Sequence, residues 1–526
     1  MNKILINNDK LILILLILFS FFTNFYYGNI GVFPIDTFAF FDTGYNILLD
    51  RHPFKDIWVT TGPVVDYFQA IFFKITGFNW RSYIIHGSVL NVIISVSLFV
   101  TLKKLSFNKY LCLFYSSAFA LLCYPVSGTP FAYIHSYVFS LLSILIFFNV
   151  VKFESKVSLF FLPWLMVLSF FSMQNPATYT NIIILVFLLF YFLSKRKIEP
   201  IKFFLIGCIS VVISLSLFLI FYKIPIQNII EQYFLFPLTM AENRIYSSEN
   251  SPLLLSERFT VRGVLGHFKF LNLYIALFII FTILKAFEKK LTKENFIINT
   301  TLILLGVSLI FNQLITANQT YIFSFIIFLG AFFHLHLNNL YPKLEKKFLY
   351  LLILVLFVTV KYHMEYNSKR KFMDLQNVDL TRAVNAAQLD IKLKNLKWIT
   401  PNFKNNPNVE IRLLKETIES LKKEKEKKMV MTHYQFFSLL LEENLYIPNR
   451  WYTHRNDSSY PIEGNKYFKH YQKHFSENIF KNKIKVIYII GEPIMFENYL
   501  VYLPKICFDE SRLNEITLIY KINNCN

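Results

Sequence analysis

Three aspartates and three arginines are the side chains in this sequence best placed to do chemistry. Asp36, Asp42 and Asp56 fall in one polar stretch, 29–81, and Arg244, Arg258 and Arg262 in another, 223–267. A carboxylate accepts a proton, caps a helix or holds a turn. A guanidinium grips phosphate bidentately, or pairs with neighbours such as Glu242 and Glu257. Asp36 precedes a helical pattern, Phe38, Phe41, Tyr45 and Leu48, so capping and catalysis are both open to it. Asp42 lies six residues further on, off that face, and reads as a supporting or substrate-facing carboxylate. Asp56 ends Pro53-Phe54-Lys55-Asp56, a turn by composition, and Asp66 sits in a first helical turn, where the dipole favours it. His135 and Asn175 stand at the ends of apolar segments, where polar side chains meet a ligand or cap a helix.

The elements that must carry these residues are membrane spans. The chain has 526 residues, 54% of them hydrophobic and 18% aromatic, with a mean hydropathy of +0.42. A spanning helix needs roughly 20 mostly apolar residues. Eleven candidates are read near 11–29, 82–102, 110–124, 131–151, 157–173, 177–194, 202–222, 268–286, 296–316, 318–337 and 347–363. The first has a weak basic flank, a long apolar run and no small-residue cleavage site, and is expected to stay as an uncleaved helix. These segments contain almost no ionisable side chains, unlike the carboxylate-bearing spans of ion-coupled transporters.

Clusters of Lys and Arg alternate with loops that lack them. The basic ones are Lys3/Lys10, Lys103/Lys104/Lys109, Lys152/Lys156, Lys195/Arg196/Lys197, Lys289/Lys290/Lys293 and Lys343/Lys346/Lys347. Cytoplasmic loops are enriched in these residues. The N-terminus is therefore expected in the cytoplasm of a plasma (inner) membrane, and an odd number of spans puts the C-terminal tail outside, in a periplasm-like space. The same topology accounts for much of the net charge of +20. No phosphate loop, zinc spacing or RNA-reading motif accompanies that charge, so nucleic acid is not expected as a partner. Cys507 and Cys525, in the exterior tail, are able to pair in an oxidising compartment.

Two domains are expected: a transmembrane domain over 1–364 and an exterior α/β domain over 365–526. In the first polar stretch, Thr61-Gly62-Pro63 opens a helix with Val64, Phe68, Ile71, Phe72 and Ile75 on one side. Short amphipathic helices of this kind belong at the membrane interface. The second stretch, with its Ser/Asn-rich centre at Tyr246–Pro252, reads as a mobile loop. In the tail, helical patterns at Val409–Lys428 and Tyr467–Phe480 alternate with strand patterns at Met429–Thr432, Ile484–Ile490 and Ile516–Ile522.

The string Asp36, Gly44-Tyr45, Pro53, Asp56, Gly62-Pro63 and Tyr67, set directly after a first span, resembles the first loop of the GT-C superfamily of membrane glycosyltransferases. Its bacterial members include the protein O-mannosyltransferases and the transferases that decorate lipid A. The resemblance covers the first loop well, the span count loosely and the tail hardly at all. It implies a polyprenyl-phosphate-sugar donor, an envelope glycan, lipid or protein as acceptor, and transfer on the exterior face with the first-loop Asp36 as base. Asp56 would support it, and Asp42, His135, Asn175 and the three arginines would face substrate. Many relatives carry two acidic residues near this point, whereas Asp36 is followed by Thr37, and the lipid A enzymes' Lys-Pro-Pro is Thr61-Gly62-Pro63 here. No cofactor is called for, and a divalent metal is left open. The alternative class is a non-catalytic exporter, flippase or assembly scaffold, which would need a polar path through the membrane midplane.

Overall fold

Apolar runs dominate the chain and become long helices. The computed structural model describes residues 2–195, 199–246, 259–316, 322–453, 459–491, 500–503 and 507–523. Among the described residues, nine helices are long and apolar enough to cross a membrane, from Asp9–Tyr27 to Pro342–Met373. Two shorter apolar helices, Lys156–Phe170 and Ser324–Leu340, take the places of the fifth and tenth expected spans. The architecture is thus the expected polytopic one. Several helices begin in basic loops with a side-chain cap. Asn108, Ser155 and Thr292 accept backbone N–H groups of Tyr110, Ser158 and Asn295, satisfying donors that a helix start leaves open.

Contacts divide the chain into two compact units. One comprises Met1–Gly28, Gly87–Leu217 and Leu255–Phe372; the other comprises Asn29–His86, Phe218–Leu254 and Met373–Asn526.

Polar side chains in the first unit are used to fasten helices. Asn91 Nδ2 donates to the carbonyls of Ser20 (2.9 Å) and Ala120 (3.1 Å). The buried Arg370 donates to the carbonyls of Pro125 and Ser127, both at 2.9 Å. In apolar surroundings an unsatisfied backbone carbonyl is costly, so such bonds tie together segments distant in sequence.

The second unit joins the first polar stretch to the tail by backbone pairing. Gly31 and Val32 donate to the carbonyls of Lys397 (3.0 Å) and Ile399 (2.9 Å), and Trp58 donates to Pro448 at 2.7 Å. Gly31 has φ +79°, and a Cβ there would lie 2.4 Å from Leu375 Cδ1, so only glycine fits this approach. The first stretch forms the helices Pro34–Thr37, Phe41–Leu48 and Val64–Thr76. The last is amphipathic in the inverted sense: Asp66 and Gln69 are buried, while Ile71 and Ile75 are exposed. Polar inside and apolar outside is the pattern of a helix whose outer face meets lipid.

The tail sheet follows the order β3-β4-β6-β5, where β3 is Lys428–Thr432, β4 is Val486–Ile490, β5 is Cys507–Asn514 and β6 is Thr517–Asn523. β3 and β4 run parallel, with Met429 opposite Ile487, and β6 pairs antiparallel with β4 and β5. Two more short strands, β1 (Val384–Asn385) and β2 (Lys397–Trp398), form a separate antiparallel pair. Helices Pro407–Lys423 and Phe468–Asn482 fill the two expected helical patterns. β5 was not expected: Cys-Phe-Asp-Glu-Ser-Arg-Leu-Asn lies at the sheet edge, largely exposed, and has no apolar alternation to betray it. Cys507 is disulfide-bonded, and Cys525 lies outside the described residues.

The stretch 223–267 is not simply a loop. Helix covers Ile226–Tyr246, with a π-helical turn at Ile230–Leu235. The Ser/Asn-rich centre, from 247 on, lies outside the described residues. Asn228 Nδ2 donates to the Phe54 carbonyl at 2.7 Å, and Gln232 Oε1 accepts the Val59 N–H at 3.2 Å.

Candidate active site

Asp36 sits at the third position of the four-residue helix Pro34–Thr37, entered from an extended Phe33. Pro34 suits the first helical turn because it has no N–H to leave unpaired. The residue at the cap is Phe33, whose N–H is taken by Thr37 Oγ1 at 2.9 Å. Asp36 is therefore not the N-cap of either neighbouring helix. Its carboxylate accepts no hydrogen bond among the described residues, and the side chain is half-buried. Enclosure by protein, and then the Asp374 carboxylate nearby, push its carboxyl up to about 7.

Aromatic residues of the tail hold this segment. Trp451 Nε1 donates to the Ile35 carbonyl at 2.9 Å, and its ring meets Phe40 edge-on at 5.9 Å. Phe38 lies between Trp398 (5.7 Å), Phe436 (5.0 Å) and Trp80 (5.6 Å). Aromatic packing of this density fixes the backbone around Asp36 while leaving its carboxylate unengaged.

The other carboxylates of the stretch are engaged. Asp42 is buried and accepts the backbone N–H groups of Ser438 (3.1 Å) and Leu439 (2.9 Å) at the start of helix Phe437–Leu441. Burial raises its carboxyl to about 6 against those bonds. Asp56 accepts the His52 N–H at 3.0 Å, closing a turn, and remains half-buried. Asp66 is fully buried in a direct ion pair with Arg450 and accepts the Thr43 hydroxyl. Arg450 also donates to Thr61 Oγ1 at 2.5 Å, and its guanidinium lies 4.7 Å from the Phe40 ring centroid. Burial lifts Asp66 to about 6 despite the attraction of Arg450. Arg450 was missed by the sequence reading. No spacing marks Asn449-Arg450-Trp451, because its partner lies 384 residues away.

The remaining candidates lie elsewhere or outside view. His135 and Asn175 belong to the other unit. His135 is buried with Nδ1 2.8 Å from the Tyr124 hydroxyl, and Asn175 precedes a cis bond to Pro176. Arg262 is exposed and also belongs to that unit. Arg258 and the side chain of Arg244 lie outside the described residues, as does His454. The phosphate clamp is thus neither assembled nor dispersed by what is described.

A cavity of about 320 Å³ opens between Phe236, Thr239, Met240 and Glu242 on one side and Tyr460, Ile462 and Glu463 on the other. Asp36 does not line it. Among the described residues, no three His, Cys, Asp or Glu side chains come together as a metal site.

No family model and no curated protein sequence matches the chain. Solved structures do. ArnT from Cupriavidus metallidurans, bound to undecaprenyl phosphate, is similar over 96% of this chain and 97% of its own, at 10% identity and a TM-score of 0.50. The same protein in its apo state scores 0.45, also at 10% identity and with the same coverage. The oligosaccharyltransferase of Archaeoglobus fulgidus, in complex with Zn and sulfate, scores 0.40 at 11% identity over 98% of this chain and 73% of its own. The last two add nothing to the assignment. Identity this low speaks for fold alone: this chain shares the polytopic membrane fold of the ArnT structure.

Proposed function

We propose that the chain is a membrane glycosyltransferase that moves a sugar from a polyprenyl-phosphate carrier to an acceptor hydroxyl, with Asp36 as general base. The observation that carries this reading is the state of Asp36: an enclosed, half-buried carboxylate with no hydrogen-bond donor among the described residues, set just after the first span. The ArnT structure holding undecaprenyl phosphate supports the carrier.

A general base works best with a pKa near the operating pH, and Asp36, raised to about 7, meets that condition. As the acceptor oxygen attacks the anomeric carbon, Asp36 takes its proton. The bond to the lipid phosphate breaks, and the phosphate leaves as an anion, with inversion at the sugar carbon. Phosphate is a good leaving group, so neither a general acid nor a cofactor is required by this scheme. Arg244, Arg258 or Arg262 would stabilise the departing charge. Asp56 has one oxygen in a turn and the other available to orient the acceptor. The acceptor is an envelope glycan, lipid or protein. Following the alternation of basic loops, transfer takes place on the exterior face of the plasma membrane, with the tail, over 365–526, as an exterior domain.

Incubating the purified chain in vesicles with radiolabelled polyprenyl-phosphate sugars tests the reading. Transfer of label to an extracted envelope acceptor supports it. Carrier binding without transfer from any donor, or transport of the carrier alone, overturns it.

A further inference from the structure

Helix Ile226–Tyr246 has two faces of different fate. Its inner row, Asn228, Gln232 and Phe236, is committed to the first polar stretch: Asn228 and Gln232 bond the Phe54 carbonyl and the Val59 N–H, and Phe236 packs on Trp58 at 5.7 Å. Glu231 reaches His470 of the tail at 2.7 Å. The outer row is apolar and exposed: Ile226 is 63% exposed, Ile230 45%, Phe234 43%, Leu235 38% and Leu238 66%.

The spacing of that row is built rather than incidental. In an α-helix, residues four apart drift round the axis, since a turn takes about 3.6 residues. The wider π turn at Ile230–Leu235 reverses the drift. It keeps 226, 230, 234 and 238 on one side and brings Leu235 to join them. Four exposed aliphatic side chains, Ile226, Ile230, Leu235 and Leu238, with the partly exposed Phe234 among them, form a larger apolar face than a water-bathed helix keeps.

Chain connectivity identifies what covers it. Three residues separate the end of the span Glu199–Tyr222 from Ile226. Four Cα steps reach at most about 14 Å, so the helix must start at the membrane surface. Exposed Ile220 and Phe221 at the end of that span continue directly into exposed Ile226.

We infer that Ile226–Leu238 lies in the headgroup region of the leaflet where this span ends, with the row 226/230/234/238 and Leu235 dipped into lipid. The partner is the bilayer itself. An amphipathic helix of this kind buries its apolar face about 5–10 Å into the boundary. Because its inner row bonds Phe54 and Val59, the lipid contact also fixes the depth of the first polar stretch. The inference depends on the membrane fold and not on the transferase reading.

Spin labels test it directly. Cys112, Cys123 and Cys208 are replaced by Ser, and single cysteines are introduced by Ile230→Cys, Phe234→Cys, Leu238→Cys and, as an aqueous control, Lys466→Cys. In vesicles, labels at 230, 234 and 238 should collide more with oxygen than with a water-soluble nickel complex, and the label at 466 should show the reverse. Nickel access at 230, 234 and 238 equal to that at 466 overturns the inference. So does spin–spin broadening from a second copy of the chain at Phe234. The unaltered chain provides a second measurement. A diazirine-bearing phospholipid in the vesicles should leave adducts on 226–238, and their absence there, with adducts present on the spans, overturns the inference independently of any variant.

Discussion

Around Asp36 and around Asp66 the same polar stretch treats a carboxylate in opposite ways. Asp66 is fully buried and receives an arginine and a threonine hydroxyl; Asp36 is half-buried and receives no donor among the described residues. Both carboxyls are raised, and in both burial is the first cause. At Asp66 the cost is offset by a guanidinium that joins the tail to the first stretch. At Asp36 no donor among the described residues offsets it, which is the condition the proposed base role calls for.

The largest effect should separate the two residues. Asp36→Asn should lower sugar transfer by on the order of 10²–10⁴ while the thermal midpoint in detergent stays unchanged or rises. The sign follows from linkage. A folded-state carboxyl at about 7 binds protons more tightly than the unfolded one, so Asp36 makes the fold less stable as pH rises from about 4 to about 7. The amide removes that contribution. Full activity in a folded Asp36→Asn variant would move the base to Asp56.

Arg450→Ala should do the converse. Leaving Asp66 buried without its partner should cost about 3–5 kcal/mol, read as a fall in thermal midpoint. Arg450→Met combined with Asp66→Leu should recover a large part of that loss. If the double variant were as unstable as the single one, the pair would not be an isolated structural clamp.

The pH profile comes next. With Asp36 as the proposed base, transfer needs it deprotonated, so kcat/KM should be level above about pH 7 and fall about tenfold per unit below it. A profile flat down to pH 5 would mean that no base of this pKa takes part.

Asp42→Ala should have the smallest effect. The change removes the acceptor for the N–H groups of Ser438 and Leu439 and should cost about 1–2 kcal/mol, with transfer per folded molecule nearly unchanged. A loss of transfer without loss of stability would bring Asp42 into the reacting centre.

Much of the molecule was legible because its signals are local. Among the described residues, each of the eleven apolar runs became a helix, since the length and hydropathy of a run decide insertion with no reference to distant residues. The tail helices Pro407–Lys423 and Phe468–Asn482 and the buried strands β3 and β4 also carried their own periodicity. β5 did not, because its residues face solvent at an edge. Helix Ile226–Tyr246 was hidden by the charges of a stretch read as a loop.

The candidate site divides in the same way. That an aspartate stood after the first span, in a segment too polar to enter the bilayer, was determined by the sequence alone. Whether it capped a helix, paired with a cation or stayed unengaged was not, because hydrogen-bond partners are set by approach in space. Arg450 reached Asp66 rather than Asp36, Trp451 took the Ile35 carbonyl, and Ser438 and Leu439 took Asp42, each across hundreds of residues of chain. Insertion is written in local hydropathy, whereas the state of a carboxylate depends on which donors the tertiary fold brings to it and which it keeps away.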